Sequence, residues 1–490
     1  MNKHETAIRI EVKVTYADNG VSVIEYDDGS IETAQSDGSG VLVTSDKTVT
    51  SWDTNGNIIS WDSGSGLQRD IEVDFPIKTK TACQLKWSHS TVFLPTATTS
   101  SCHRVDQNPI PKNFDFHNVP EKILAREDML NGEWPMNGCE YCKKVEDVGG
   151  VSDRMAHLKY PGLSAPYDLT DKLTETHVTP RWLEIYFSNV CNLGCLYCNE
   201  GFSSVWESEN IKFLPNHKPN PMIKELEYTD SMFAWLEGNI GHLYNLIILG
   251  GEPFLQPQSD RLLDFLSNVK CPELTLTFFS NLSMSTKRLK KRFDKMQKLV
   301  DNGNINSVHV VGSVDCWGPE SEFVRSGLDL KLFEANFRYL LYNTTCKLNI
   351  NMTATSLSVF TMPALIKKIN EWNEVRRVYV SMMMVNGSGS FAVNEGGDLL
   401  SMAIFGKDIL NWGLNESIKL LNTHGDAELI KFKTHLNGLA SVIETYKEDI
   451  DSQKKLHKFL TTIDSRRGTC YETVFPFLSN IINNNIKNSS

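Results

Sequence analysis

Between residues 180 and 390 short apolar runs alternate with longer amphipathic stretches, and this alternation restricts the fold more than any other feature of the chain. The runs are Leu183–Phe187, Leu246–Leu249, Leu274–Phe279, Val308–Val314, Leu348–Thr353 and Val378–Met383, each of strand length. Helical periodicity fills most of the intervals, at Leu262–Val269, Lys287–Val300, Leu332–Tyr342 and Met362–Trp372; the first interval also holds a polar Pro/Asn-rich loop. Six strand–helix repeats predict an α/β fold with a parallel sheet. Because crossovers are right-handed, the sheet is expected to curl into a full or partial (β/α)6 TIM-like barrel. Chemistry in such a barrel gathers where the strands end.

At 490 residues the chain exceeds what one hydrophobic core serves, so further modules are expected. Residues 1–75 alternate apolar and polar positions, as at Val21, Val23 and Tyr26, and predict a small β module of hairpins. Ser-Trp-Asp recurs at 51–53 and 60–62 around Asn55-Gly56, a tight-turn pair, so Trp52 and Trp61 are expected to pair across strands. Residues 76–170 are irregular, rich in Pro, Asn and Gly, and carry four cysteines; metal is the expected ordering agent. Residues 171–398 form the expected barrel. Residues 399–490 read as mainly helical, as in Ala427–Tyr446, with a polar tail, and are expected to cover the barrel's open side or bottom.

With 40% hydrophobic and 22% charged residues the composition is that of a soluble globular protein. No apolar run approaches the roughly 20 residues of a membrane span, and the first residues lack a signal-peptide core, which together predict a cytoplasmic protein. A net charge of -11 disfavours nucleic acid and anionic membranes as partners. Eleven cysteines in a reducing compartment point to metal or chemistry rather than disulfides.

Cys191-Asn-Leu-Gly-Cys195-Leu-Tyr-Cys198 follows the first predicted strand directly. Three thiolates on one loop hold three corners of a 4Fe-4S cubane and leave the fourth iron open. A zinc site wants four ligands, or three and water, and a ferredoxin supplies a fourth Cys.

This loop, with the aromatic Tyr197 before its third cysteine, resembles the signature of the radical S-adenosylmethionine (radical SAM) superfamily. The resemblance implies that the open iron chelates S-adenosylmethionine and that an injected electron yields methionine and a 5′-deoxyadenosyl radical. Gly250-Gly251-Glu252-Pro253, after the second strand, looks like the family's GGE motif for the methionine amino group. Glycines allow close backbone approach and a carboxylate complements an ammonium. Ser280-Asn281 stands where the family places contacts to the ribose. Ser313-Val314-Asp315 is similar to its Ser-x-Asp, and Arg325 lies where relatives carry an arginine near the cofactor carboxylate. For Asp315 and Arg325 a cap or a surface pair is the alternative.

Upstream stand Cys83, Cys102, Cys139 and Cys142, a set that suits all-cysteine zinc or a second iron–sulfur cluster. Gly132-Glu133-Trp134-Pro135, the Cys139/Cys142 pair, Glu146, Gly149, Ser152 and Arg154 resemble the auxiliary-cluster ("twitch") segment of radical SAM proteins. So do Arg466-Arg467-Gly468-Thr469 and Pro476. The resemblance covers roughly residues 80–480, and it favours iron–sulfur for the upstream set. It departs from the pattern at Ser-Ser-Cys102-His103, where a Cys-Cys pair is expected; His103 reads as a solvated neighbour.

Cys271, Cys316, Cys346 and Cys470 read as structural, with Cys316 a candidate to face the active site. The basic run Lys287, Arg288, Lys290, Lys291, Arg292 reads as the wet face of an outer helix, His309 as a satisfied core histidine, and Met382, Met383 and Met384 first as core. The functional expectation is a radical SAM iron–sulfur enzyme that abstracts hydrogen from a substrate, with a flavodoxin- or ferredoxin-like electron donor. Relatives with auxiliary clusters often modify peptides or proteins, which makes a peptidyl substrate the leading expectation. A small molecule such as a sugar or nucleotide is the alternative, and a catalytically silent, metal-stapled binding protein a third reading.

Overall fold

A computed structural model of the chain describes the strand segments between residues 11 and 62. It then describes residues 79–135, 138–147, 152–159, 174–218, 225–385, 399–421 and 446–488, with scattered helical residues between 432 and 443. The chain divides into two compact units, residues 1–75 with 433–441 and residues 76–432 with 442–490.

In the first unit β1 (Glu11–Tyr16), β2 (Ser22–Tyr26), β3 (Ile31–Ala34), β4 (Gly40–Val43), β5 (Val49–Trp52) and β6 (Ile58–Asp62) form one antiparallel sheet in sequence order. Short connections between consecutive strands favour this meander. The β5–β6 register sets Thr50 opposite Trp61 and Trp52 opposite Ile58, so the tryptophans are offset rather than directly paired. The Asn55-Gly56 turn lies outside the described residues.

The second unit is built on a nine-stranded sheet. The upstream segment supplies β7 (His89–Phe93), β8 (Thr98–Ser100) and β9 (Asn108–Pro109). The six sequence-predicted strands follow as β10 (Trp182–Tyr186), β11 (Asn245–Leu249), β12 (Cys271–Ser280), β13 (Ile305–Ser313), β14 (Lys347–Ala354) and β15 (Val378–Met384). The order is β15-β14-β13-β12-β11-β10-β7-β8-β9, parallel from β15 to β7 and antiparallel beyond.

Leu183, Ile185, Leu246, Ile248, Leu276, Phe278, Val308, Val310, Leu348 and Ile350 are buried, as are the helical stripes Leu289/Phe293/Met296 and Phe333/Phe337/Leu340. Burying one such aliphatic or aromatic side chain contributes about 1.5–3 kcal/mol, so these two layers carry the stability of the unit. The alternate strand positions are mixed: Glu184, Thr275, Thr277, Ser307, His309, Asn349, Asn351 and Ser381 are polar, beside the apolar Ile247, Leu249, Phe279, Val311 and Met383. A closed parallel barrel fills its inner face mainly with branched apolar side chains. On helix Thr286–Asp301 the basic run stays outside, with Arg292 pairing Asp260 at 2.6 Å and Lys295 pairing Asp264.

Residues 76–170 hold more regular structure than the sequence implies. Besides β7–β9 they bury Lys122, whose ammonium donates to Ser90 and Thr99 at 2.7 Å and to the Phe116 carbonyl at 3.0 Å. Arg126 is also buried and donates to the carbonyls of Lys86, His117 and Thr176. Hydrogen bonds from these two buried cations to hydroxyls and backbone carbonyls thus help to order part of this segment. The carboxy-terminal helices are Lys407–Leu421, Ile450–Arg467, Tyr471–Val474 and Pro476–Asn488; most of the expected helix 427–446 lies outside the described residues. None of the described helices is long and apolar enough to cross a membrane.

Candidate active site

The loop after β10 is held from three sides. Gly194 and Leu196 N–H groups donate to the carbonyls of Ser326 and Val324 at 2.9 and 2.8 Å, and the Trp206 indole N–H donates to the Cys195 carbonyl at 2.7 Å. The Tyr197 hydroxyl donates to Asp315 Oδ2 at 2.8 Å. Asp315 is wholly buried, takes a two-point pair from Arg325 at 2.8 and 2.9 Å, and accepts the Thr353 N–H at 2.8 Å. The Arg325 guanidinium also lies 5.5 Å over the Tyr197 ring. Asp315 and Arg325 therefore form a buried anchor for the cysteine loop, not a surface pair.

Gly250 and Gly251 stand at φ +83° and +52°. A Cβ on Gly250 would lie 2.7 Å from the Tyr186 ring, and one on Gly251 2.2 Å from the Val190 carbonyl oxygen. Their freedom lets the backbone pack against Tyr186 of β10 and against Val190 at the start of the cysteine loop. Glu252 is buried and accepts hydrogen bonds from Ser280 Oγ (2.8 Å), Asn281 N (2.7 Å) and Phe254 N (3.1 Å). Burial pushes its carboxyl up to about 7 despite these donors. The acid ties the end of β11 to the end of β12.

The carboxy-terminal region was expected at the open side or bottom, yet it reaches the cysteine loop at the strand ends. Arg467 donates to the Gly194 carbonyl at 2.8 Å and to Glu209 at 2.9 Å, and its guanidinium lies 4.7 Å over the Trp206 ring. A Cβ on Gly194 would come within 3.1 Å of Arg467 Nη2.

One cavity of about 550 Å³ gathers this end of the sheet. Cys191, Cys195, Cys198, Gly250, Gly251, Ser280, Asn281, Ser313 and Arg325 line it; Glu252 and Asp315 lie behind the wall. Met383, exposed, lines it too, whereas Cys316 is buried away from it. His309 departs from the sequence expectation: its Nε2 is buried without a hydrogen-bond partner among the described residues. Cys271 and Cys346 are buried, but Cys470 is exposed.

Cys83, Cys102, Cys139 and Cys142 line a second, small cavity of about 20 Å³, together with Arg104, Asp153 and Arg154. Glu146, Ser152 and Arg154 buttress it: Arg154 pairs with Glu146 at 2.5 Å and donates to the Ala82 carbonyl at 2.8 Å. Cys102 and His103 line both cavities. His103 is partly exposed, 3.4 Å from Asp153.

Burial and then the neighbouring Cys195 push the Cys191 thiol up, and burial followed by Cys195 pushes Cys198 up to about 12. Burial, then Cys102, pushes Cys83 up to about 12. Such thiols stay protonated until a metal displaces the proton. Among the described residues no group of three or more His, Cys, Asp or Glu is already arranged to hold a metal ion. The donor chemistry nevertheless fits iron–sulfur: three soft ligands on one loop facing an ample cavity, and four around the smaller one.

No protein-family model matches the chain, and no curated protein matches it. Among solved structures the chain is similar to polyhistidine-tagged anSMEcpe with bound AdoMet, at 17% identity and a TM-score of 0.32, covering 53% of this chain. It spans 62% of the length of that chain. It is also similar to TYW1 with a lysine-pyruvate adduct bound, at 14% identity and a TM-score of 0.26, covering 47% of this chain and 70% of that one.

Proposed function

We propose that the protein is a radical SAM enzyme in which Cys191, Cys195 and Cys198 hold a 4Fe-4S cluster at the mouth of a partial barrel. The observation that carries this reading is the C-x3-C-x2-C loop at the end of β10, whose three thiols face one cavity with Gly250, Gly251, Ser280, Asn281, Ser313 and Arg325. When bound, the cluster supplies the electron that cleaves S-adenosylmethionine to methionine and a 5′-deoxyadenosyl radical. The chain's own residues do the rest. Arg325 presents its cationic face beside Cys195 for an anionic group such as the cofactor carboxylate. Asn281 and Ser280 offer polar contacts for ribose hydroxyls. Glu252 acts behind the wall: by holding Ser280 Oγ and Asn281 N it fixes the surface the cofactor meets. Tyr197, Asp315, Arg466 and Arg467 keep the loop in place.

The upstream cysteines are assigned to a second metal site, iron–sulfur by resemblance. A specific observation favours zinc as the alternative: a cavity of about 20 Å³ takes little more than one solvent-sized particle, so a single ion fits as the walls stand. The substrate is read as a peptide or protein, with a small flavodoxin- or ferredoxin-like donor supplying electrons.

Anaerobic purification with iron, sulfide and zinc analysis tests these assignments, using wild type and a Cys191→Ala/Cys195→Ala/Cys198→Ala variant. About eight irons falling to about four establish two 4Fe-4S clusters. About four falling to none with one zinc retained assigns the upstream set to zinc. Wild type that holds no iron after reconstitution refutes the proposal.

A further inference from the structure

The cavity has a second half that the cofactor reading leaves unused. It is walled by His89 on β7 and by Trp182 and Glu184 on β10, with Cys102, His103 and His157 around them. The parallel register sets Trp182 beside His89 and Glu184 beside Thr91, so all four side chains share the inner face of the sheet.

Two hydrogen-bonding groups on this wall have capacity to spare. Trp182 Nε1 is buried and has no hydrogen-bond partner among the described residues. An indole N–H is a donor only, and a buried one normally finds an acceptor. Glu184 Oε2 accepts from Thr91 at 2.9 Å, while Oε1 has a long 3.5 Å approach from His89 Nε2. His89 is fixed in place by its Nδ1–H, which donates to the Ser101 carbonyl at 2.8 Å, and by an edge-on contact with Trp182 at 5.0 Å. Burial alone would raise the Glu184 carboxyl; the neighbouring His89 and the Thr91 hydroxyl outweigh it and hold the carboxyl below its ordinary range. The wall therefore offers one donor and one anionic acceptor two residues apart on one strand.

A ligand that satisfies both must present an acceptor and a donor side by side. An extended peptide does this at every second residue, where the N–H and C=O of one residue point to the same edge. We propose that Trp182 and Glu184 form a peptide-backbone subsite, the indole donating to a substrate carbonyl and the carboxylate accepting the N–H of the same residue, with His89 as a positioning residue. This names the substrate class for the function proposed above and rests on it for its role in turnover, although binding itself needs no cluster.

The test uses the full chain, with iron measured in the same sample, and two small probes followed by ligand-observed NMR. N-acetyl-L-alanine N-methylamide carries the required N–H and C=O; O-acetyl-L-lactic acid N-methylamide replaces only that N–H with oxygen. Wild type is expected to bind the amide about tenfold more tightly than the ester analogue, the effect of one hydrogen bond to a charged acceptor. Glu184→Leu is expected to bring the ratio to about one. Trp182→Phe is expected to weaken both probes about equally and to keep the ratio. A merely structural Glu184 would weaken both probes alike in Glu184→Leu, and an unchanged ratio there overturns the proposal. So does a wild type that binds neither probe, or that binds both equally. A sample that stays iron-free after anaerobic reconstitution and still discriminates between the probes keeps the subsite and counts against the cluster, so the two readings fail separately.

Discussion

Replacing Asp315 by Asn changes one oxygen to NH2 and removes the charge that four hydrogen bonds share: the two-point pair with Arg325, that of the Tyr197 hydroxyl and that of the Thr353 N–H. Arg325 is 6% exposed and Asp315 0%, so the guanidinium left behind has little access to water. Breaking a buried pair from one side typically costs ~3–5 kcal/mol, whereas replacing both partners by apolar groups of similar volume costs far less. Asp315→Asn and Arg325→Met should each fall in that range. Asp315→Leu/Arg325→Met should cost less than the sum of its single changes by about 2 kcal/mol or more. Tyr197→Phe, which removes one hydrogen bond and no charge, should cost ~1 kcal/mol. Urea unfolding of iron-free protein, followed by tryptophan fluorescence, reads all of these without a metal contribution. Additive single and double variants would refute the buried-anchor account of Asp315 and Arg325.

Gly251→Ala places a Cβ 2.2 Å from the Val190 carbonyl at φ +52°; the expected outcome is protein that folds poorly or reconstitutes with much less iron than wild type, and normal iron content would count against the packing role. Glu252 carries a carboxyl raised from 4.5 to about 7, so its contribution to stability is complete below about pH 4.5 and declines as pH rises to about 7. Relative to Glu252→Gln, wild type should lose up to about 3 kcal/mol over that interval; parallel pH profiles of the two proteins would contradict this. Arg467→Gln removes the hydrogen bond to the Gly194 carbonyl and the pair with Glu209. Reconstituted variant should release iron to a chelator about tenfold faster than wild type, and equal release rates would show that the clamp does not support the loop.

The six parallel strands were legible because their apolar residues recur at every second position and face buried helical stripes of period 3.6. The cysteine loop stood out for a different reason: the spacing of its thiols is a local property of the sequence, visible without knowledge of tertiary contacts. The upstream strands were not. His-Ser-Thr-Val-Phe at β7 has few apolar residues, and what holds it is a pairing with β10 some ninety residues away. The glycine pair was found by its motif, while only the folded chain shows how closely Tyr186 and the Val190 carbonyl approach it. Trp182 and Glu184 were not singled out: Glu184 falls inside the expected strand Leu183–Phe187, and Trp182 stands just before it. The signal that could have found them was a carboxylate inside Trp-Leu-Glu-Ile-Tyr, on the strand that leads straight into Cys191. Arg466 and Arg467 were noticed through resemblance alone, because nothing local indicates that they reach back to Gly194 and Glu209.

That reach has a consequence for how the protein is made. Arg467 and Gly194 are separated by 273 positions, and at a synthesis rate of roughly 5–20 residues per second the interval between them is about 14–55 s. During that time the three cysteines have left the ribosome while their brace has not yet been translated. A loop in that condition meets oxidants and stray divalent ions before it meets its clamp, so for the cluster proposed above the order of translation favours insertion after the helix ending at Arg467 has docked.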